Sequence, residues 1–155
     1  NSEGVRMGKG SRTKPDRWEF IVNSTPKPQP RPRMTRKGHT YNPKNADFWK
    51  MHVGIAAKAA MKEAPTPLTG GLIIKIDFRM PRPKRLRMAD VDTPHICRPD
   101  TDNLLKSTLD ALQAASVVAD DCVFFDVHAV KYYSNPGSPS HAKISIITTP
   151  SPLDE

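Results

Sequence analysis

Asp100 and Asp102, followed by Lys106 and then by the pair Asp120 and Asp121 eighteen to nineteen residues beyond Asp102, are the side chains here best placed to do chemistry. Pro99 ends a loop, and leucines then recur at helical spacing, so Asp100 falls at or just before a helix start, where a carboxylate can cap free N–H groups. One cap needs one carboxylate, and Asp102 in the first turn exceeds that need. Lys106 lies one turn past Asp102 on the same face. The two form either a surface ion pair worth ~0.3–0.5 kcal/mol or a carboxylate and a cation beside a reaction centre. All eight acids between residues 90 and 126 are Asp, whose short, stiff side chain suits a hard cation, whereas a solvated helix face would use Glu, the better helix former. If the two acidic clusters meet, their like charges raise each other's pKa, and Mg²⁺ or Mn²⁺ relieves the repulsion. Such an ion can activate water and stabilise the leaving oxygen of a phosphodiester. The competing reading is an acidic segment that only aids solubility or neutralises a basic chain.

For the clusters to meet, the chain must double back. A helix of about fourteen residues is ~21 Å long, so the polypeptide has to return along a sheet to bring Asp121 towards Asp102. The elements around the motif permit this. Trp18, Phe20 and Val22 alternate as a short half-buried strand, and Leu72 to Met80 is the clearest strand pattern in the sequence. Apolar residues recur at Phe48, Met51, Ile55 and Ala59, with Trp49, Val53, Ala56 and Ala60 beside them, which predicts an amphipathic helix from Asp47 to Ala64 entered at Asn42-Pro43. A second helix is expected from about Thr101 to Ala115, with Leu105, Leu109 and Leu112 on its buried stripe and Leu104, Ala111 and Ala115 widening it. Val123 to Tyr133 and Ala142 to Thr148 read as strands joined by the Asn135-Pro136-Gly137 turn in a hairpin. The fold class is therefore α+β, one mixed sheet with two main helices packed on it. We assign residues 1–16 to a disordered basic arm, 17–150 to the domain and 151–155 to a tail.

Charge points to the partner. Lys and Arg outnumber Asp and Glu by 24 to 16, with a pI near 9.7, which favours a polyanion such as nucleic acid. Residues 1–89 hold 20 basic and 6 acidic side chains, a net of +14, while residues 90–126 carry −6 from 2 basic and 8 acidic ones. Two segments concentrate the positive charge. Pro26, Pro28, Pro30 and Pro32 favour an extended path that carries Lys27, Arg31 and Arg33, with Arg36 and Lys37 just after it. A second Pro-rich loop holds Arg82, Lys84, Arg85 and Arg87. These nine are the candidate DNA-binding residues. Lys50, Lys58 and Lys62 on the first helix form either a phosphate-tracking stripe or a solvated face.

The pattern Asp100-x-Asp102-Asn103-Leu104-x-Lys106-x-x-x-Asp110-Ala111-Leu112, with Asp120-Asp121 following, resembles the RusA family of Holliday-junction resolvases, common in phages and prophages. The Lys27-Pro28 to Arg33 segment is similar to the family's Lys-Pro-Arg-Pro-Arg stretch, and the likeness spans about residues 18 to 148. It implies a homodimeric, Mg²⁺-dependent endonuclease making paired cuts in four-way DNA junctions during recombination and repair. By the same resemblance Asp100, Asp102 and Asp121 stand where the family has its essential carboxylates and Lys106 where it has its catalytic lysine. The resemblance also places Asp120 in the adjoining acidic position, either as an auxiliary ligand or as a support behind the ligands. The contrasting reading is a basic nucleic-acid-binding protein without catalysis.

Other chemistries are weaker. Cys97 and Cys122 cannot form a disulfide scaffold, and with His95 and His128 they match no zinc spacing. No stretch approaches the ~18 apolar residues of a membrane span and no signal peptide is evident, so a cytoplasmic protein without membrane or small-molecule partners is expected.

Overall fold

The segment with the strictest alternation becomes an interior strand. In the computed structural model, which describes residues 15–30, 33–34, 38, 40–41, 45–86 and 92–149, the elements are β1 (Arg17–Val22), β2 (Arg33–Met34), β3 (Thr40–Tyr41), α1 (Asn45–Ala60), β4 (Leu72–Met80), α2 (Thr101–Ala114), β5 (Phe124–Tyr133) and β6 (His141–Thr148). The main sheet has the order β1-β6-β4-β5, and β2 pairs with β3 separately. Leu72, Ile74, Ile76, Phe78 and Met80 point to one face and are buried there with Phe20, Val22, Ile144 and Ile146 from neighbouring strands. The opposite face is polar, carrying the ion pairs Arg79–Asp77 and Lys143–Glu19. Both helices cover the apolar face, giving the α+β arrangement expected from the pattern.

The expected hairpin does not form. β5 runs parallel to β4, and β6 inserts antiparallel between β4 and β1. The turn itself is present, with Ser138 N–H donating to the Asn135 carbonyl at 2.9 Å and Gly137 at φ +80°. Turn chemistry fixes a reversal of direction but not the partner. Since β6 is apolar along Ala142, Ile144 and Ile146, burying it between two strands removes more apolar surface than an edge position would.

The helices differ from expectation in which residues they bury. α1 ends at Ala60 rather than Ala64, passing into a turn closed by Ala64 N–H to the Met61 carbonyl at 2.9 Å. Its core stripe is Trp49, Val53 and Ala57, while Phe48, Met51 and Ile55 are 65%, 49% and 60% exposed, a second apolar stripe left uncovered among the described residues. The α1 entry at Asn42-Pro43 lies outside the described residues. On α2 the buried positions are Leu104, Ser107, Thr108, Ala111 and Leu112, with Leu105 and Leu109 only partly covered, so burial centres to one side of the Leu105–Leu109 line. Buried Thr108 is accommodated because its hydroxyl donates to the Leu104 carbonyl at 2.9 Å. The helices pack side by side where Gly54 meets Ala115, and a Cβ at Gly54 would lie only 3.1 Å from that of Ala115. Of the expected basic arm, Asp16 already joins the ladder through Thr148 N–H to its carbonyl at 2.9 Å. Residues 1–14 and the tail 151–155 lie outside the described residues.

Candidate active site

The β4–α2–β5 unit decides where the motif stands. Because β4 and β5 are parallel, α2 runs back between them, and its first turn lies at their carboxyl ends, the crevice where open α/β sheets bind ligands. Asp100 is the N-cap residue, extended at φ −69° and ψ 148°, and its carbonyl accepts the first helical bond from Leu104 N–H at 3.1 Å. Its carboxylate makes no capping hydrogen bond. Capping therefore does not account for this side chain, and Asp100 and Asp102 are both exposed.

The loop before Asp100 is held by a residue with no place in the sequence motif. Residues 93–95 pair against the end of β5, with His95 N–H donating to the Lys131 carbonyl at 3.0 Å and Tyr133 N–H to the Thr93 carbonyl at 2.9 Å. The Lys131 ammonium then reaches the carbonyls of Cys97 and Pro99 at 2.7 and 2.6 Å. Three contacts with one lysine thus fold the chain immediately upstream of Asp100. Lys131 pairs in register with inward-pointing Phe78, and a lysine at an inward position of an alternating strand was the available signal. Lys131→Met is expected to leave the sheet folded while loosening the loop before Asp100, seen as amide hydrogen exchange at His95 faster by about tenfold, and Lys131→Arg should recover part of the loss.

His95 is 8% exposed, and its ring meets the edge of Tyr133 with centroids 4.8 Å apart. Burial, and then the nearby Lys131 charge, hold its pKa below the ordinary histidine value. Cys97 Sγ lies 3.5 Å from His95 Nε2. Cys122 and His128 are elsewhere, His128 pairing with Asp126 at 2.8 Å.

Asp120 and Asp121 sit at the other end of α2. Asp120 accepts a hydrogen bond from Cys122 N–H at 3.0 Å, which lowers its pKa, so it caps the short turn before β5. Asp121 N–H donates to Gln113 Oε1 at 3.1 Å. Partial burial, followed by the charges of Asp120 and Asp110, pushes the Asp121 pKa up. Asp110 in turn pairs with Lys50 of α1 at 3.4 Å. Asp102, Lys106 and Asp110 succeed one another at four-residue intervals along one side of α2. At 1.5 Å per residue, Asp102 lies ~12 Å from Asp110 and ~16 Å from Gln113 along the axis. Among the described residues, no group of three or more His, Cys, Asp or Glu in the single chain is placed to hold a metal ion. One protomer thus brings Asp100 and Asp102 together, and separately Asp110, Asp120 and Asp121, with exposed Lys106 between them.

Basic residues approach the motif from distant sequence. Gln29 N–H donates to the Asn103 carbonyl at 3.1 Å, docking the Pro-rich segment on the first turn of α2. Lys27 and Arg98 consequently line the same cavity as Asp100. Lys84 and Arg85 are exposed on the loop after β4. Arg82 is engaged within the fold, donating to the carbonyls of Ser134 and Leu86 at 2.6 and 2.8 Å, with its guanidinium 6.0 Å from the Tyr133 ring centre. Arg31, Arg36, Lys37 and Arg87 lie outside the described residues, as does the side chain of Arg33.

The family model described as Endodeoxyribonuclease RusA matches residues 23–146. The chain belongs to the RusA endodeoxyribonuclease family. No curated protein matches the chain. Membership makes it a nuclease, a hydrolase of DNA phosphodiester bonds, and the matched span contains both acidic clusters, Lys106, Lys131 and the docked Pro-rich segment of this RusA-family domain. No helix of the described residues is long and apolar enough to cross a membrane.

Proposed function

We propose that this RusA-family protein is a Mg²⁺- or Mn²⁺-dependent endonuclease that resolves four-way DNA junctions as a homodimer in the cytoplasm, in DNA recombination and repair. The observation that carries the proposal is the division of the acidic motif between the two ends of one helix. Two α2 helices running antiparallel about a two-fold axis near Lys106 would set Asp100 and Asp102 beside Asp121 of the partner subunit. The same operation repeats the arrangement, so one dimer holds two equivalent sites, as paired cutting requires. The uncovered stripe Phe48, Met51 and Ile55 runs alongside, and an apolar strip of this kind supports the burial of a partner.

The donor set fits a hard cation: exposed carboxylates at Asp100 and Asp102, the first making no capping bond, and Asp121, whose pKa is raised by partial burial and then by the neighbouring Asp120 and Asp110. Asp100 and Asp102 with the partner's Asp121 would hold the ion, and Asp120 would support Asp121. A bound Mg²⁺ supplies Lewis-acid stabilisation of the departing 3′ oxygen and makes bound water more acidic. Lys106, exposed between the two ends, stabilises the negative charge growing on the phosphate. Lys27 and Arg98 bind phosphates flanking the cut, and Lys84 and Arg85 those further along, a contribution to affinity that falls steeply with salt.

The test is an end-labelled four-way junction incubated with Mg²⁺ or with EDTA. Symmetrically related nicks are expected with Mg²⁺ alone. A mobility shift without cutting in either condition would instead identify a non-catalytic binder.

A further inference from the structure

The cavity beside Asp100 has a use that phosphate hydrolysis does not require. It measures about 580 Å³ and is walled by Pro26, Pro28, Met80 and Pro81, a size and lining typical of pockets that bury a flat organic group. It is a built feature, since one wall is fixed by the Gln29–Asn103 main-chain bond and the other continues the end of β4 at Met80 and Pro81. Two polar groups along it lack partners: Gln29 Oε1 and His95 Nδ1 are buried without a hydrogen bond. Buried polar atoms are nearly always satisfied, so Gln29 and His95, both part of the lining, hold hydrogen-bonding capacity that the edge of a ligand takes up once their side chains turn towards the cavity. Lys27 and Arg98 contribute positive charge to the same lining, so that ligand is attached to phosphates.

We infer that the cavity receives one unpaired nucleobase from the branch point of the DNA, next to the phosphate presented to Asp100. The inference rests on the endonuclease reading above and adds a basis for its choice of substrate. The proline rings and the Met80 side chain cover the faces of the base, and Gln29 meets its edge after a small rotation of its side chain. A base inside a duplex has its edge paired and its faces stacked, and it cannot enter. At a branch point stacking is already interrupted, and extruding a base costs least there. Preference for branched over linear DNA then follows from the pocket, not from the carboxylates.

The experiment uses the full chain in EDTA with four-way junctions carrying 2-aminopurine at each branch-point position in turn. A several-fold fluorescence rise is expected at one position on each strand that is cut. An abasic residue at that position, which keeps every phosphate, should weaken binding about tenfold. Gln29→Leu should weaken binding of the intact junction by a similar factor and leave the abasic junction unaffected, the non-additivity expected of two groups in contact. Silent fluorescence at every position together with equal affinity for intact and abasic junctions would overturn the inference, as would saturable binding of free deoxynucleoside monophosphates that does not compete with junction. The same wild-type protein is then given Mg²⁺. Cutting despite silent fluorescence removes the pocket's role alone, whereas failure to cut removes the functional reading as well.

Discussion

Asp102→Asn is expected to slow junction cleavage by about 10³-fold or more while leaving junction binding within a factor of two or three. Loss of one charged ligand from a hard-cation site forfeits several kcal/mol of transition-state stabilisation, and ~4 kcal/mol corresponds to 10³ in rate. Binding should persist because Lys27, Arg98, Lys84 and Arg85 are untouched and phosphate contacts provide most of the affinity. The substitution is isosteric and Asp102 is exposed, so the fold should be indifferent to it. Single-turnover cleavage with gel-shift titration checks both parts. Retained cutting in Mg²⁺ would exclude Asp102 from the site.

The second result concerns mixed subunits. Neither Asp102→Asn nor Asp121→Asn is expected to cut alone, yet a mixture exchanged to equilibrium should recover nicking of single strands if the proposed shared site is formed. If each site takes Asp102 from one subunit and Asp121 from the other, a heterodimer has one site with both substitutions and one with neither. Random exchange makes about half of the dimers heterodimers, restoring about a quarter of the wild-type sites without restoring paired cuts. A site formed within one chain predicts no recovery at all. The prediction follows from the ~16 Å of helical rise between Asp102 and Gln113, whose side chain accepts from Asp121 N–H. Ile55→Glu in both subunits should prevent recovery by placing a charge in the uncovered α1 stripe, and sedimentation would show the monomer.

Much of the fold was legible because alternation and helical recurrence report burial directly. Phe20 and Val22, the five inward residues of β4, and α2 with Asp100 at its N-cap all stand where the pattern puts them. The errors share a cause. The leucine line of α2 and the Phe48–Ile55 line of α1 were expected at the centre of each buried stripe, yet burial centres beside them, on Leu104, Thr108 and Ala111 in α2, where Leu112 of the line stays buried, and on Trp49, Val53 and Ala57 in α1. Local pattern gives the period of a helix, while its rotation is set by the sheet and by the close approach of Gly54 to Ala115. The hairpin failed for a similar reason, because a turn says nothing about which strand will fill the space beside it.

By itself the sequence determined the composition of the site: hard carboxylate donors, a lysine one turn away, a basic chain to meet phosphates, and a helix to carry the motif. Residue type and spacing suffice for these because they are local. Tertiary structure alone decided that Asp100 is free of its cap, that Lys131 grips the loop before it, that the Pro-rich segment walls a cavity there, and that Asp121 lies at the far end of α2. Those facts depend on β5 running parallel to β4, and strand pairing is a contest between distant segments for the same buried surface.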